Sequence, residues 1–524
     1  MKKIYIAFTT VLSFALLTSC DDYLSKLPDS RATVDTEEKV AALLVSAYPT
    51  SDYQLVTEEM SDNMDDMGED NPYTSRFFDQ LWAWEDITET NNESPENIWE
   101  AHYYAIANAN QALLSIEDMG GATTLTLQAL QAEALMCRAY NHFILLNVFC
   151  LNYDSATADS DPGITYMFDT ETTLDNSYER NSVAECCEYI KADIEAALPY
   201  VSDSYMSVPK YHFNQDAAYA FACKFYLYYE MWEEALECAD KVLGNSPSTK
   251  LRDYETLGEN STYSAQSQAY IDETETANLL LLTGYSYMGL VCGPYYAYHR
   301  YTHCPYLSNN ETIAATNCWG DFTSSNLHTS YYTYSATNLS CVIFWRLPAL
   351  FEYTDEVAGI GYYHSVFPVF TTDEILISRA EAKTMLEDYD GAAEDLTMWV
   401  KNFSTITKSL TPSSITSFYT GIDYATWDAS TPKKHLNPAF DIGEEGDTKE
   451  SMLQAVLSCR RIETLHEGQR WFDIKRYGIE IWRRRMNSSG KPEELLDVLS
   501  VDDPRRAVQI PLKVRTAGYE ANPR

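Results

Sequence analysis

The sequence predicts a mostly α fold: a scaffold of helical hairpins that holds long irregular loops on one face. Three observations predict it. Apolar residues recur with helical period between residues 95 and 149, and a helix–turn–helix pattern near 215–243 is echoed near 373–402. Two tracts, 245–372 and 403–448, show no lasting period. The first of these tracts holds the span Tyr285 to Tyr334, with ten Tyr and one Trp among Asn, Ser, Gly and Thr. Tyr joins a flat apolar ring to a hydroxyl that wants a partner, which suits a surface half wet and half dry.

Composition sets the outer bounds. At 524 residues, 45% hydrophobic with 20 Gly and 19 Pro, the chain is a folded one with ample core. Its formal charge is −41, and loss of a leader carrying Lys2 and Lys3 makes it 35 − 78 = −43. Such a surface repels nucleic acid and anionic lipid headgroups. Residues 460–524 run the other way, with 14 Lys/Arg against 10 Asp/Glu, and are expected to pair with the acidic body.

The amino terminus reads as an export signal. Lys2-Lys3, an apolar run from Ile4 to Leu17, and Thr18-Ser19-Cys20 form a signal peptide over residues 1–19, too short to span a membrane. The Leu-Thr-Ser-Cys ending resembles a bacterial lipobox, which implies cleavage before Cys20 and acylation of its thiol and new amino group. Each buried CH₂ contributes about 0.8 kcal/mol, so two or three acyl chains would anchor stably.

A polar tether follows, then a helix from about Thr36 to Ala47 ended by Pro49. The acidic cluster Asp62, Asp65, Asp66, Glu69 and Asp70 lacks the spacing of an EF-hand and is expected to be a solvated loop. Leu81-Trp82-Ala83-Trp84-Glu85-Asp86 places two indoles in a polar loop, either a core wedge or a stacking platform. Trp99, Tyr103, Ile106 and Asn110 share one face of a helix over about 95–116, and a partner helix runs over about 126–149 after Gly120-Gly121. The stretches Glu230 to Ala235 and Glu387 to Ala392 both place an aromatic three residues before an Ala at the start of a second helix, a TPR-like pattern. A helix through Met452 to Leu465 leads into the basic segment 460–478, and an extended piece, Val508 to Pro511, comes late.

Reactive chemistry is sparse. Beyond Cys20, eleven Cys form no Cys-x-x-Cys pair, so neither zinc nor redox chemistry is indicated; Cys137, Cys223 and Cys238 read as small buried residues. There is no Gly-x-Ser-x-Gly, and His466-Glu467 is not followed by the second His of a zincin. His299 and His303 are bracketed by Pro294 and Pro305, which makes them loop histidines. With 78 acids, a glycosidase carboxylate pair is not excluded by counting.

Four features together resemble the SusD/RagB family: the lipobox followed by Asp21-Asp22, the W-x-x-x-Y-x-x-I-x-x-x-N spacing at 99–110, the A-E-A-x-x-x-R-A-Y helix at 132–140, and R-R-I-E…E-G-x-R-W-F-D-x-x-R-Y-G at 460–478. The resemblance covers nearly all of residues 20–524, divided as about 20–245, 246–372 and 373–524. It implies four TPR-like helix pairs supporting a ligand face of loops. It also implies a surface-exposed, non-catalytic outer-membrane lipoprotein without a cofactor, which hands oligosaccharide to a SusC-like TonB-dependent transporter. Trp82 and Trp84 resemble the aromatic platform of a starch-binding relative, although Ile87 stands where that relative has Asn, and Trp319 resembles a second stacking ring. With Tyr295, Tyr296 and Tyr298 these are the expected glycan-binding residues. Peptide capture, as RagB-like relatives imply, is the alternative, followed by a glycoside-active enzyme or a purely structural lid.

Overall fold

The computed structural model describes residues 34–170, 178–295, 297–335 and 339–524; the leader, Cys20 and Tyr296 lie outside the described residues. Helix α1 (Glu37–Leu44) starts where the Thr36 side chain accepts from the Lys39 amide, and it buries Val40 and Leu44. Two short helices follow, α2 (Gln54–Met60) and α3 (Arg76–Trp82). The long hairpin is α4 (Pro95–Asp118), capped by Ser94 with Pro at its first position, and α5 (Leu125–Phe149), capped by Thr124. Gly120 and Gly121 turn between them at φ 98° and 88°. Helix α5 is buried on nearly every side, from Leu127 through Tyr140 to Phe149, which makes it the axis of this half.

Helix α6 (Val183–Ala197) opens on a Ser182–Glu185 capping box and is tied to α5 by a bidentate Arg138–Asp193 pair, both bonds 2.7 Å. The echoed hairpins are α7 (Gln215–Tyr228) with α8 (Trp232–Leu243), and α10 (Thr372–Met385) with α11 (Tyr389–Phe403); α9 (Tyr263–Tyr270) lies in the tract between them. The two turns match in detail. Glu230 and Glu387 both sit in the left-handed region, at φ 60° and 65°. The amide after each closes the helix end, Met231 onto Tyr226 and Asp388 onto Lys383. Ala235 and Ala392 are both fully buried where the second helix meets the first.

The tracts without period are not wholly irregular. Tract 245–372 contains an antiparallel sheet in the order β2 (Asn278–Tyr285), β7 (Ile360–Thr371), β6 (Leu350–Asp355), and the small β4–β5 pair (Tyr332–Tyr334 with Cys341–Ile343). Tract 403–448 contains α12 (Pro412–Thr420). A second sheet, β3-β1-β8-β9, joins Tyr301–Thr302 and Asp65–Asp66 to the hairpin Ile481–Met486 with Pro492–Leu499.

The basic segment pairs inward with the acidic body, as its composition predicts. Arg460 of α13 (Thr448–Glu463) and Arg476 of α14 (Arg470–Arg476) both bond Glu381 on α10. Burial opposes ionisation of Glu381, but Arg476 and Arg460 draw its carboxyl down to about 2. Arg470 holds Asp62 through two bonds of 2.8 and 2.9 Å, Arg484 holds Asp65 and Glu311, and Arg300 holds Asp66. The solvated loop expected at Asp62, Asp65 and Asp66 is therefore corrected: these three are buried or half-buried counter-ions, and only Glu69 and Asp70 are exposed.

Candidate ligand-binding face

The three tryptophans expected to face solvent are turned inward. Trp82 ends α3 and Trp84 follows at φ 54°, so a helix end and a kink stand where the sequence predicts a polar loop. They are 6% and 3% exposed. Their indole N–H groups donate to the carbonyls of Met64 (3.2 Å) and Met60 (2.9 Å). The Arg483 guanidinium lies over both rings, 5.0 Å from Trp82 and 4.2 Å from Trp84. The other ring stacked on Trp82 is Tyr301, itself buried. Trp319, 2% exposed, stacks on Phe322 and meets Trp399 edge-on. Protein covers these rings, so the platform assignment for Trp82, Trp84 and Trp319 is corrected to core packing.

Tyr295 and Tyr298 remain at the surface. Tyr295 is 53% exposed, and Tyr298 is half-buried with its ring stacked on Phe78 at 4.5 Å. Around Tyr295 the fold gathers Tyr332 and Tyr334 of the same aromatic span and two rings from outside it, Tyr263 and Trp345, that sequence reading did not single out. Tyr263 on α9 meets Tyr295 edge-on at 5.6 Å and Trp345 edge-on at 6.3 Å. Tyr332 on β4 stacks on Trp345 at 3.4 Å and 5°, while the Trp345 indole N–H donates to the Tyr334 hydroxyl at 3.3 Å. Tyr263, Tyr332, Tyr334 and Trp345 are all half-buried, with part of each left toward water. On the other side of the same loop, Tyr298 and Tyr287 approach at 6.3 Å, Tyr287 and Tyr363 at 5.9 Å, and Phe351 packs on Tyr363. This second group leads out along the β6–β7 hairpin, where Phe351, Tyr353, Val357 and Ile360 are exposed.

The loop that carries these rings is braced from below. The Tyr263 hydroxyl donates to the carbonyls of Gly289 (2.9 Å) and Leu347 (2.6 Å). Gly289 itself lies so close to Pro348 and Ala349 that a Cβ there would meet backbone at 2.5 Å. The Tyr285 amide donates to Thr50, the Ser286 amide to Tyr363, and the Tyr287 amide to the buried Glu93 carboxyl. Burial pushes the Glu93 carboxyl up to about 8, with the Tyr287 amide pulling the other way. At the far end Arg300 holds Asp66 through bonds of 2.9 and 3.1 Å. The result is a partly exposed aromatic ledge on hydrogen-bonded backbone.

Two of the cavities are lined by other residues. A polar groove of about 370 Å³ is lined by Tyr306, Asn309, Asn310, Asn487 and Lys491 among others. An apolar pocket of about 170 Å³ is lined by Trp99, Tyr103, Ile106, Met167 and Tyr519 among others. Among the described residues no cluster of His, Cys, Asp and Glu is arranged to hold a metal ion, and no helix is long and apolar enough to cross a membrane.

No curated protein sequence matches the chain. The fold is shared with a SusD superfamily protein from Bacteroides thetaiotaomicron, at 16% identity, TM-score 0.62, and coverage of 93% of this chain and 100% of that one. It is also shared with a putative sugar binding protein from Bacteroides vulgatus, at 16% identity, TM-score 0.61, and coverage of 94% and 99%. A SusD-like carbohydrate binding protein from the same organism aligns at 14% identity and TM-score 0.54, over 92% of this chain and 96% of that one. A family model described as "Starch-binding associating with outer membrane" matches residues 22–227, and the SusD family model matches residues 252–497. With the helical scaffold, the buried arginine segment and these two matches in agreement, the chain belongs to the SusD/RagB family.

Proposed function

We propose that this protein is a lipid-anchored, surface-exposed outer-membrane receptor that captures oligosaccharide on the Tyr295 ledge and passes it, uncut, to a SusC-like TonB-dependent transporter. One observation carries the binding step: Tyr263, Tyr295, Tyr332 and Trp345 form a partly exposed group of rings on backbone that is already fixed. Sugar rings present apolar C–H faces, and each aromatic contact contributes about 0.5–1.5 kcal/mol. Ordering a flexible ligand offsets much of that gain. Millimolar to micromolar affinity follows, about −4 to −8 kcal/mol, which suits a carrier that must release its cargo. Support for the anchor is the Leu-Thr-Ser-Cys20 sequence, and support for the partner is family membership.

Titration calorimetry on the protein lacking residues 1–20 tests the ledge. Tyr295→Ala and Trp345→Ala should each weaken glycan binding roughly five- to tenfold, about 1 kcal/mol. Trp82→Ala should instead lower the unfolding midpoint, since truncating a buried Trp costs about 3–5 kcal/mol. Full-strength binding by the Tyr295→Ala, Trp345→Ala double variant would remove the ledge from the mechanism, and new reducing ends in the ligand would remove the non-catalytic reading. Peptide capture has one observation in its favour: β6 is an exposed edge strand that could accept an extended backbone. Binding of unstructured peptides in the same assay would favour it.

A further inference from the structure

The ledge also carries information about the charge of its ligand. Between residues 253 and 371, the tract that supplies every ring of the ledge, the sequence holds eleven Asp/Glu but two Lys/Arg, Arg300 and Arg346. Both cations are already engaged. Arg300 lies flat against Asp66 through two bonds of 2.9 and 3.1 Å. Arg346 is buried, 4% exposed, and directs its guanidinium at the carbonyls of Ile462, Glu463 and Leu465. Nearby on β6 and the hairpin tip, Glu352, Asp355 and Glu356 are all exposed. The exposed cation next closest in the sequence of ring-bearing elements is Arg76, two positions before Phe78 on α3. Two helical positions are about 200° apart, so Arg76 leaves the helix on the face opposite Phe78.

Recognition of a carboxylate or sulfate sugar calls for a cation at the site, most often a forked arginine. Among the described residues of the tract that supplies the rings no arginine or lysine is uncommitted, and the tract's own charge, 2 − 11 = −9, is part of a net charge of −41. Building on the oligosaccharide reading of the ledge, we infer that the ligand is an uncharged oligosaccharide and that uronate-rich or sulfated glycans are excluded. Selection is then achieved by repulsion as well as by attraction, with the rings accepting many neutral sugars and the acidic surroundings removing the anionic ones.

Pairs of glycans that share a backbone and differ in charge test this: mannohexaose against mannuronohexaose, cellohexaose against its C6-carboxylate form, and methyl-esterified against free oligogalacturonate. Titration of the protein lacking residues 1–20 at 0.15 M salt should give at least tenfold tighter binding of the neutral member in every pair that binds. The gap should narrow at 0.5 M salt, where screening shortens the reach of the acidic residues. Equal or tighter binding of any carboxylate member at 0.15 M salt overturns the charge rule while leaving the sugar reading intact. Binding of peptides with no heat from either member of any pair overturns the sugar reading, and the charge rule with it.

Discussion

Glu93 lies under the aromatic loop with its carboxyl on the amide of Tyr287, and its burial has a consequence in solution. Its folded value of about 8 stands above the ordinary 4.5. Between those values the folded chain keeps a proton that the unfolded chain releases, so this contribution is full below pH 4.5 and is lost as pH rises through 8. Glu93→Gln keeps an oxygen for the Tyr287 amide and removes the titration. Denaturant unfolding at pH 5 and pH 8 should show the native protein losing more stability than the variant, on the order of 3 kcal/mol. Equal losses would mean that Glu93 is not titrating in the fold. At the same scale, Trp82 and Trp84 mark where reading by residue reached its limit. Their spacing allowed wedge or platform, and the deciding partner, Arg483, lies 401 residues from Trp82 in the chain. No local pattern carries that contact. Tyr263 and Trp345 were illegible for a similar reason: Tyr263 is a lone aromatic among polar neighbours, Trp345 ends the apolar run Cys341 to Trp345 and reads as core, and only the fold sets them beside Tyr295.

Helices were the most legible elements, because period and caps point the same way. Thr36, Ser94 and Thr124 each cap the helix that the apolar spacing predicts. Helix α6 was missed although Ser182 and Glu185 spell a capping box, which was the available signal. Strand β2 was missed because Leu279–Leu282 is a short continuous apolar run, equally compatible with buried helix or buried strand. The repeated turns offer a test at this scale. Glu387 holds a left-handed conformation that disfavours any residue with a Cβ. Its ion pair with Lys449 spans 3.5 Å with the Glu387 side chain 71% exposed, so little is lost with it. Glu387→Gly should raise stability by about 0.5–1 kcal/mol in denaturant unfolding. A drop would show that the α10–α11 turn is not strained there.

Over the whole molecule, charge is sorted by depth: the arginines of the 460–506 segment other than Arg485 and Arg505 turn inward onto acids and carbonyls, and much of the remaining acid faces water. Buried pairs of this kind add little net stability over apolar packing, but removal of one partner strands the other. Cysteine follows the same inward rule. All eleven from Cys137 to Cys459 are buried and unpaired, so thermal unfolding with and without reductant should give the same midpoint. A midpoint lowered by reductant would reveal a disulfide.

Arg483 gathers the carbonyls of Glu59, Met60, Ser61, Met64 and Trp82, reaching across 401 to 424 residues of sequence. A ribosome delivers those five carbonyls long before it delivers the side chain that ties them. Until the last part is made, the first has two loose indoles and no knot to close around. Closure of so distant a loop is slow, so the two indoles and the five carbonyls stay untied until residue 483 has been made.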